Sequence, residues 1–95
     1  MIEKKMSYIT DKMIGEIGEE MLVIAMEELA ELSQATSKLK RGKADLDNLA
    51  EEIADVIICT EAIKKIGGIT ETSIEKWIDF KLDRAMKRIR EGNFK

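Results

Sequence analysis

Histidine is absent from this 95-residue sequence, and its absence excludes several kinds of active site. There can be no Ser-His catalytic triad, no zinc site with a histidine ligand and no di-iron bundle of the Glu-x-x-His type. A metal site in this chain would be built from carboxylate oxygens. Such a site selects hard cations, Mg²⁺ first and Mn²⁺ as a second choice.

Proline is also absent, and only 4% of the residues are aromatic. Ala, Leu, Ile, Met, Glu and Lys dominate, which favours an all-α fold. The single cysteine, Cys59, cannot form an internal disulfide, and its place on an apolar stripe indicates core packing. A chain of this length makes one domain. We expect its core at about 16–90, an N-terminal segment at 1–14 and a tail at 91–95.

The charge and hydropathy patterns exclude two kinds of partner. The net charge is −3, and no basic patch of the kind that binds polymeric nucleic acid is present. No apolar run is long enough to cross a membrane, and we find no signal peptide. These patterns predict a cytoplasmic protein whose partners include neither a membrane nor polymeric nucleic acid.

Helical periodicity and turn signals predict an antiparallel helical hairpin followed by a third helix. The hairpin turns between Arg41 and Gly42, where cations precede a glycine at the end of the first arm. The three helices are expected at about 19–39, 45–66 and 70–90, and residues 1–14 add at most a short amphipathic turn or helix. The residues expected to cap helix starts are Asp45 or Asp47, Thr70 or Thr72 and, in the N-terminal segment, Thr10 or Asp11.

Four acidic residues are spaced so that the hairpin brings them to two adjacent levels. Glu28 and Glu31 share one helix face, as do Glu52 and Asp55, because residues three apart lie about 60° from each other. In a hairpin that turns between residues 41 and 42, residue 28 is level with 55, and residue 31 with 52. The hairpin geometry therefore predicts a cluster of four carboxylates.

These acids lie in the middle of the helix faces that ought to be buried. Apolar residues flank them within about 60° on both arms. A carboxylate buried without a partner is very costly, so it is neutralised, paired or bound to a cation. One divalent cation would relieve the repulsion among the four. The flanking residues are Met21, Ile24, Ala25, Leu32, Ala35 and Leu39 on the first arm, and Leu49, Val56, Cys59, Ile63 and Ile66 on the second.

The two acidic pairs, with the sequence around them, resemble the signature of the MazG-like, all-α nucleoside triphosphate pyrophosphohydrolases. The resemblance covers about residues 20 to 90. It implies Mg²⁺-dependent hydrolysis of a (deoxy)nucleoside triphosphate to the monophosphate and pyrophosphate, with nucleotide-pool house-cleaning as one role. The matching segments are Glu27-Glu28-Leu-Ala-Glu31-Leu, Leu39-Lys-Arg-Gly42 and Asn48-Leu-Ala-Glu51-Glu52-Ile-Ala-Asp55-Val.

The resemblance also implies roles for the acids. Glu28, Glu31, Glu52 and Asp55 correspond to the metal ligands, and the metal is Mg²⁺, with Mn²⁺ as an alternative. Glu27 matches the first acid of the family's Glu-Glu-x-x-Glu, although it points about 100° away from Glu28. Glu27 or Glu31 is the candidate to accept the proton of the attacking water.

The third helix carries the candidate substrate ligands, because Trp77, Lys81, Arg84 and Arg88 follow nearly one line along it. The family often reads Lys-[Leu/Met]-x-x-Asn-x-x-Arg here, which keeps Lys81 and Arg88 for the phosphates and places Ala85 where the asparagine would be. A solvated basic face is the alternative for the cations. Trp77 would stack on a nucleobase or, with Ile74, Ile78, Ala85 and Ile89, form a buried stripe.

The second arm is apolar on more than one face, since Ile53, Ile57 and Ile58 lie off the acid-bearing stripe. Such a helix needs neighbours on several sides. We therefore expect a homo-oligomer, a dimer or a tetramer, with an oligomeric four-helix-bundle core whose interface walls the site.

A second class of function stays open, namely a non-catalytic helical module that regulates or binds a partner and retains the fold without turnover. Ala85 and the short chain favour that alternative, whereas the four intact acids favour an enzyme. The preferred base or sugar has no readable motif. We expect the cations near the hairpin tip to be solvated: Lys38, Lys40, Arg41 and Lys43.

Overall fold

The computed structural model describes residues 1–92, which form four helices and no strand. The helices are α1 (Ile2–Ile17), α2 (Glu20–Lys40), α3 (Leu46–Gly67) and α4 (Glu71–Arg90). The all-helical prediction is confirmed, and the three predicted helices correspond to α2, α3 and α4. The final part of the predicted tail, residues 93–95, lies outside the described residues. Among the described helices, none combines the length and apolar character that a membrane span requires.

The hairpin of α2 and α3 is the most extensive helix pair of the fold. Gly42, at φ +70°, takes the left-handed conformation that reverses the chain after α2. The Asp45 carboxylate then caps α3 by accepting hydrogen bonds from the backbone amides of Asp47 at 3.0 Å and Asn48 at 3.2 Å. At the start of α4, the Thr70 hydroxyl accepts a hydrogen bond from the backbone amide of Ser73 at 3.1 Å. Asp45 and Thr70 are thus the caps, out of the two alternatives predicted for each helix.

Helix α1 is much longer than the short N-terminal element that the sequence predicted. Thr10 does not start a helix: it is fully buried within α1, and its hydroxyl donates to the carbonyl of Met6 at 2.8 Å. From α3, the Lys65 ammonium donates to Thr10 Oγ1 at 2.7 Å and to the Ser7 carbonyl at 2.6 Å, and it pairs with Asp11 at 2.9 Å. The predicted caps Thr10 and Asp11 are wrong because α1 begins at Ile2 and both residues lie inside it.

The core of the single chain is thin. The buried apolar side chains are mostly small, and Met21 is the largest of those that are fully buried. Nearly all of the predicted stripes beside the acids are buried or half-buried, whereas Ile24 and Leu39 are exposed. The buried apolar residues are Met21, Ala25 and Ala35 on α2, and Cys59 and Ala62 on α3.

Helix α4 packs against none of the other three helices, and none of its residues is buried. The ion pair between Lys64 of α3 and Glu71 joins only its first turn to the hairpin. The prediction of a buried stripe on this helix is therefore wrong for the single chain, and Trp77 is 58% exposed. The radius of gyration is 16.3 Å, against about 12 Å for a compact chain of this length. The chain is extended because α4 lacks a partner.

Candidate functional site

The hairpin brings the predicted acids together midway along α2 and α3. One carboxylate oxygen from each of Glu28, Glu31 and Glu52 lies within 4.8 Å of the other two. The fourth acid, Asp55, adjoins Glu28 closely enough to perturb its ionisation. These neighbours are the ones that the level pairing of the hairpin predicted.

Two oxygens of this cluster are buried without any hydrogen-bond partner: Oε2 of Glu28 and Oε2 of Glu52. Buried polar atoms in folded proteins nearly always have a partner, so each exception needs an explanation. None of the ion pairs formed within residues 1–92 involves the cluster. The negative charge of the site is therefore not compensated by the described chain.

Burial and mutual repulsion perturb the acids. Burial raises the pKa of Glu28 from its ordinary value of 4.5 to about 7, assisted by its contact with Asp55 and by repulsion from Glu31. Burial also raises the pKa of Glu52, with the charge of Glu31 as the next cause. The same burial, with Glu28 and Asp55 nearby, raises the pKa of the Cys59 thiol. Glu28 therefore keeps a proton to a higher pH than an exposed glutamate does.

The metal-free protein is expected to lose stability as the pH rises between about 4.5 and 7. In this window native Glu28 binds more protons than the unfolded chain does, so the free energy of unfolding falls as the pH increases. Thermal unfolding in EDTA across the window measures this slope, and Glu28→Gln should flatten it. Equal slopes in the wild type and in Glu28→Gln would show that Glu28 does not titrate in this way.

The donor set fits a hard divalent cation. At an Mg–O distance of about 2.1 Å, two opposite ligands of an octahedral Mg²⁺ stand about 4.2 Å apart. The oxygens of Glu28, Glu31 and Glu52 lie within 4.8 Å of one another, so rotation of these side chains would bring them to one ion. The buried, unpartnered oxygens supply lone pairs, and Glu31 is exposed, which leaves one side of the cluster open to water and ligands.

A polar cleft of about 370 Å³ extends from Glu31 and Glu52 toward the hairpin turn. Lys38 is exposed, as predicted for the cations near the hairpin tip, and it also lines this cleft. The spacing of residues 31, 34, 35 and 38 places them on one face of α2, so the sequence could have indicated that Lys38 lies beside the acids. The other lining residues are Gln34, Ala35 and Asn48.

The cations and the aromatic residue predicted to bind substrate all lie on α4, and none of them lines the cleft beside the acids. Trp77 packs edge-on against Phe80 with ring centroids 5.7 Å apart, and the Arg84 guanidinium lies over the Phe80 ring at 5.8 Å. Lys81 and Arg88 form no ion pair within residues 1–92. Substrate binding by α4 stays a prediction.

Glu27, the other catalytic candidate, is exposed on α2, next in sequence to Glu28. Neither the three-oxygen cluster nor the cleft lining includes it. A catalytic role for Glu27 stays a prediction.

Fold and site together define an all-helical protein with uncompensated carboxylates inside a helical hairpin. No protein-family model, no curated protein and no solved structure matches the chain. The acidic motifs and the geometry of the hairpin are therefore the basis for a function.

Proposed function

We propose that the chain is a Mg²⁺-dependent pyrophosphohydrolase that converts a (deoxy)nucleoside triphosphate to the monophosphate and pyrophosphate. The observation that carries this proposal is the pair of buried, unpartnered carboxylate oxygens on Glu28 and Glu52. A cation is the natural partner for such oxygens, and a nucleoside triphosphate is a common ligand of protein-bound Mg²⁺. Both residues also lie in the segments that resemble the MazG-like signature, and this resemblance supports the same activity.

Each acid of the site has a proposed role. Glu28, Glu31, Glu52 and Asp55 would hold Mg²⁺ or Mn²⁺. When bound, the cation lowers the pKa of coordinated water and offsets the charge of the phosphates. Glu31 or Glu27, both exposed on α2, would accept a proton from the attacking water.

Assembly forms part of the proposal, with a second copy of this chain as the partner that completes the site. Three exposed isoleucines of α3, Ile53, Ile57 and Ile58, and the apolar residues of α4 are the surfaces to be covered. In a dimer or tetramer with a four-helix-bundle core, α4 of one copy would reach the site of another. Its phosphate ligands would then be Lys81, Arg84 and Arg88, with Trp77 against the base.

One observation favours a second candidate, a helical module that binds a partner without turnover. Helix α4 exposes Trp77, Phe80 and Leu82 by more than half, and its cations do not reach the acids of the same chain. A non-catalytic protein that retained the fold would use this surface for binding. The acid cluster, which such a module does not need, makes the enzyme the preferred proposal.

The experiment is a panel of canonical and damaged nucleoside triphosphates with Mg²⁺, in which every phosphorus-containing product is identified. The proposal expects equal amounts of monophosphate and pyrophosphate from at least one substrate, and no reaction in EDTA. Release of orthophosphate and a diphosphate would contradict it. Mg²⁺ binding without turnover of any substrate would favour the non-catalytic module.

A further inference from the structure

The cleft beside the acids changes its charge along its length. Its inner end carries the carboxylates of Glu31 and Glu52, and one lysine, Lys38, lines it farther along α2. Between them stand the amides of Gln34 and Asn48. None of the ion pairs within residues 1–92 engages Lys38. The cleft therefore offers hydrogen-bond donors and one uncompensated positive charge beside the proposed cation position.

This lining suits a small anion better than a nucleobase. A base is held between apolar or aromatic faces, whereas among residues 1–92 Ala35 is the only apolar one that lines the cleft. Lysine brings three donors and each amide brings two, and charge-assisted hydrogen bonds to phosphate oxygens are among the stronger ones. The volume of about 370 Å³ falls at the lower end of the range for ligand pockets, about 300–1,000 Å³.

We propose that this cleft binds the pyrophosphate portion of the substrate, with Lys38 on the terminal phosphate and the Gln34 and Asn48 amides on phosphate oxygens nearer the acids. The proposal rests on the proposed function, because it places those phosphates next to the cation. It also fixes the direction of the substrate. The nucleoside extends from the acids away from the hairpin turn, toward the level of Glu28 and Asp55.

The cleft lies within one chain, so the leaving group is held without any residue of α4. Lys38 stabilises the negative charge that accumulates on the departing pyrophosphate, and the phosphate ligands proposed on α4 of a second copy would add to this contact.

The test is calorimetric titration of inorganic pyrophosphate into the Mg²⁺-loaded protein and its Lys38→Gln variant. Loss of one charge-assisted contact is expected to weaken pyrophosphate binding about tenfold, while Mg²⁺ alone binds both proteins equally. Lys40→Gln is the matched control. It removes the same charge two residues along α2, from a side chain that does not line the cleft, and it should leave pyrophosphate binding unchanged.

A second variant tests the amide donors without relying on Lys38. Asn48→Asp replaces two donors with a carboxylate in the first turn of α3, where an acid suits the helix N-terminus. It should weaken pyrophosphate binding and leave Mg²⁺ binding intact or stronger.

The outcomes separate the two levels of the proposal. Equal pyrophosphate affinity in the wild type, Lys38→Gln and Asn48→Asp overturns the cleft assignment and leaves the proposed function standing. Equal weakening by Lys38→Gln and Lys40→Gln also overturns it, because the effect would be one of overall charge. A wild type that binds no Mg²⁺ overturns the proposed function and the cleft assignment with it.

Discussion

Replacing Glu52 with glutamine is expected to reduce hydrolysis by more than about a hundredfold, the upper limit typical of residues that only support a metal ligand. The melting temperature of the metal-free protein should stay the same or rise. Glutamine matches the size of Glu52 and removes a charge that burial and Glu31 already disfavour. Pyrophosphate release measures the first effect, and thermal unfolding in EDTA measures the second.

The matched control for Glu52→Gln is Glu51→Gln, which removes the same charge from the neighbouring, exposed position. It should retain activity and melting temperature. Added Mg²⁺ should stabilise the wild type and Glu51→Gln more than Glu52→Gln. A drop of many degrees in the metal-free melting temperature of Glu52→Gln would mean that Glu52 belongs to a structural ion pair, and the metal site would then be the wrong explanation of the cluster.

Replacing Ile57 with aspartate should abolish assembly and activity together. The Ile57 side chain is 55% exposed on α3 and lines a shallow cavity with Met6 and Val56. Interfaces of obligate oligomers typically bury more than about 2,000 Å² and are largely apolar, so a charge placed within one is strongly unfavourable. Light scattering should give a mass of two or four times 10.8 kDa for the wild type and 10.8 kDa for the variant.

Leu46→Asp provides the control for that experiment. Leu46 is 69% exposed at the first position of α3, eleven residues from Ile57 and close to the hairpin turn. The same apolar-to-acidic change there should preserve both mass and pyrophosphate release. A monomeric wild type with full activity, or an active Ile57→Asp monomer, would show that one chain holds the whole site.

The features that could be predicted from sequence are those set by local signals. Gly42 and Asp45 fix where the hairpin reverses and restarts, and both act within a few residues of their own position. Once the turn is located, the periodicity of the helix alone brings Glu31 level with Glu52. The convergence of Glu28, Glu31 and Glu52 therefore followed from their spacing together with the apolar residues that flank them on both helices.

The features that could not be predicted depend on distant partners. Thr10 resembles a helix cap locally, whereas in the fold it lies inside α1 and accepts a hydrogen bond from Lys65, far along the chain. The apolar stripe of α4 indicates that a face should be covered, but no pattern within one chain states what covers it. The exposure of Lys38 was predicted, but its place in the cleft was not, because Asn48 and Glu52 of the other helix complete that lining.

The contacts of Lys65 have a consequence for the kinetics of folding. They join α3 to residues 55 and 58 positions away in the sequence, whereas the hairpin closes across one short turn. Because closing a longer loop costs more entropy, the hairpin should form first and α1 should dock afterwards. Interactions that form after the rate-limiting step slow unfolding and leave the folding rate nearly unchanged. Replacement of Lys65 should therefore raise the unfolding rate and leave the folding rate nearly unchanged.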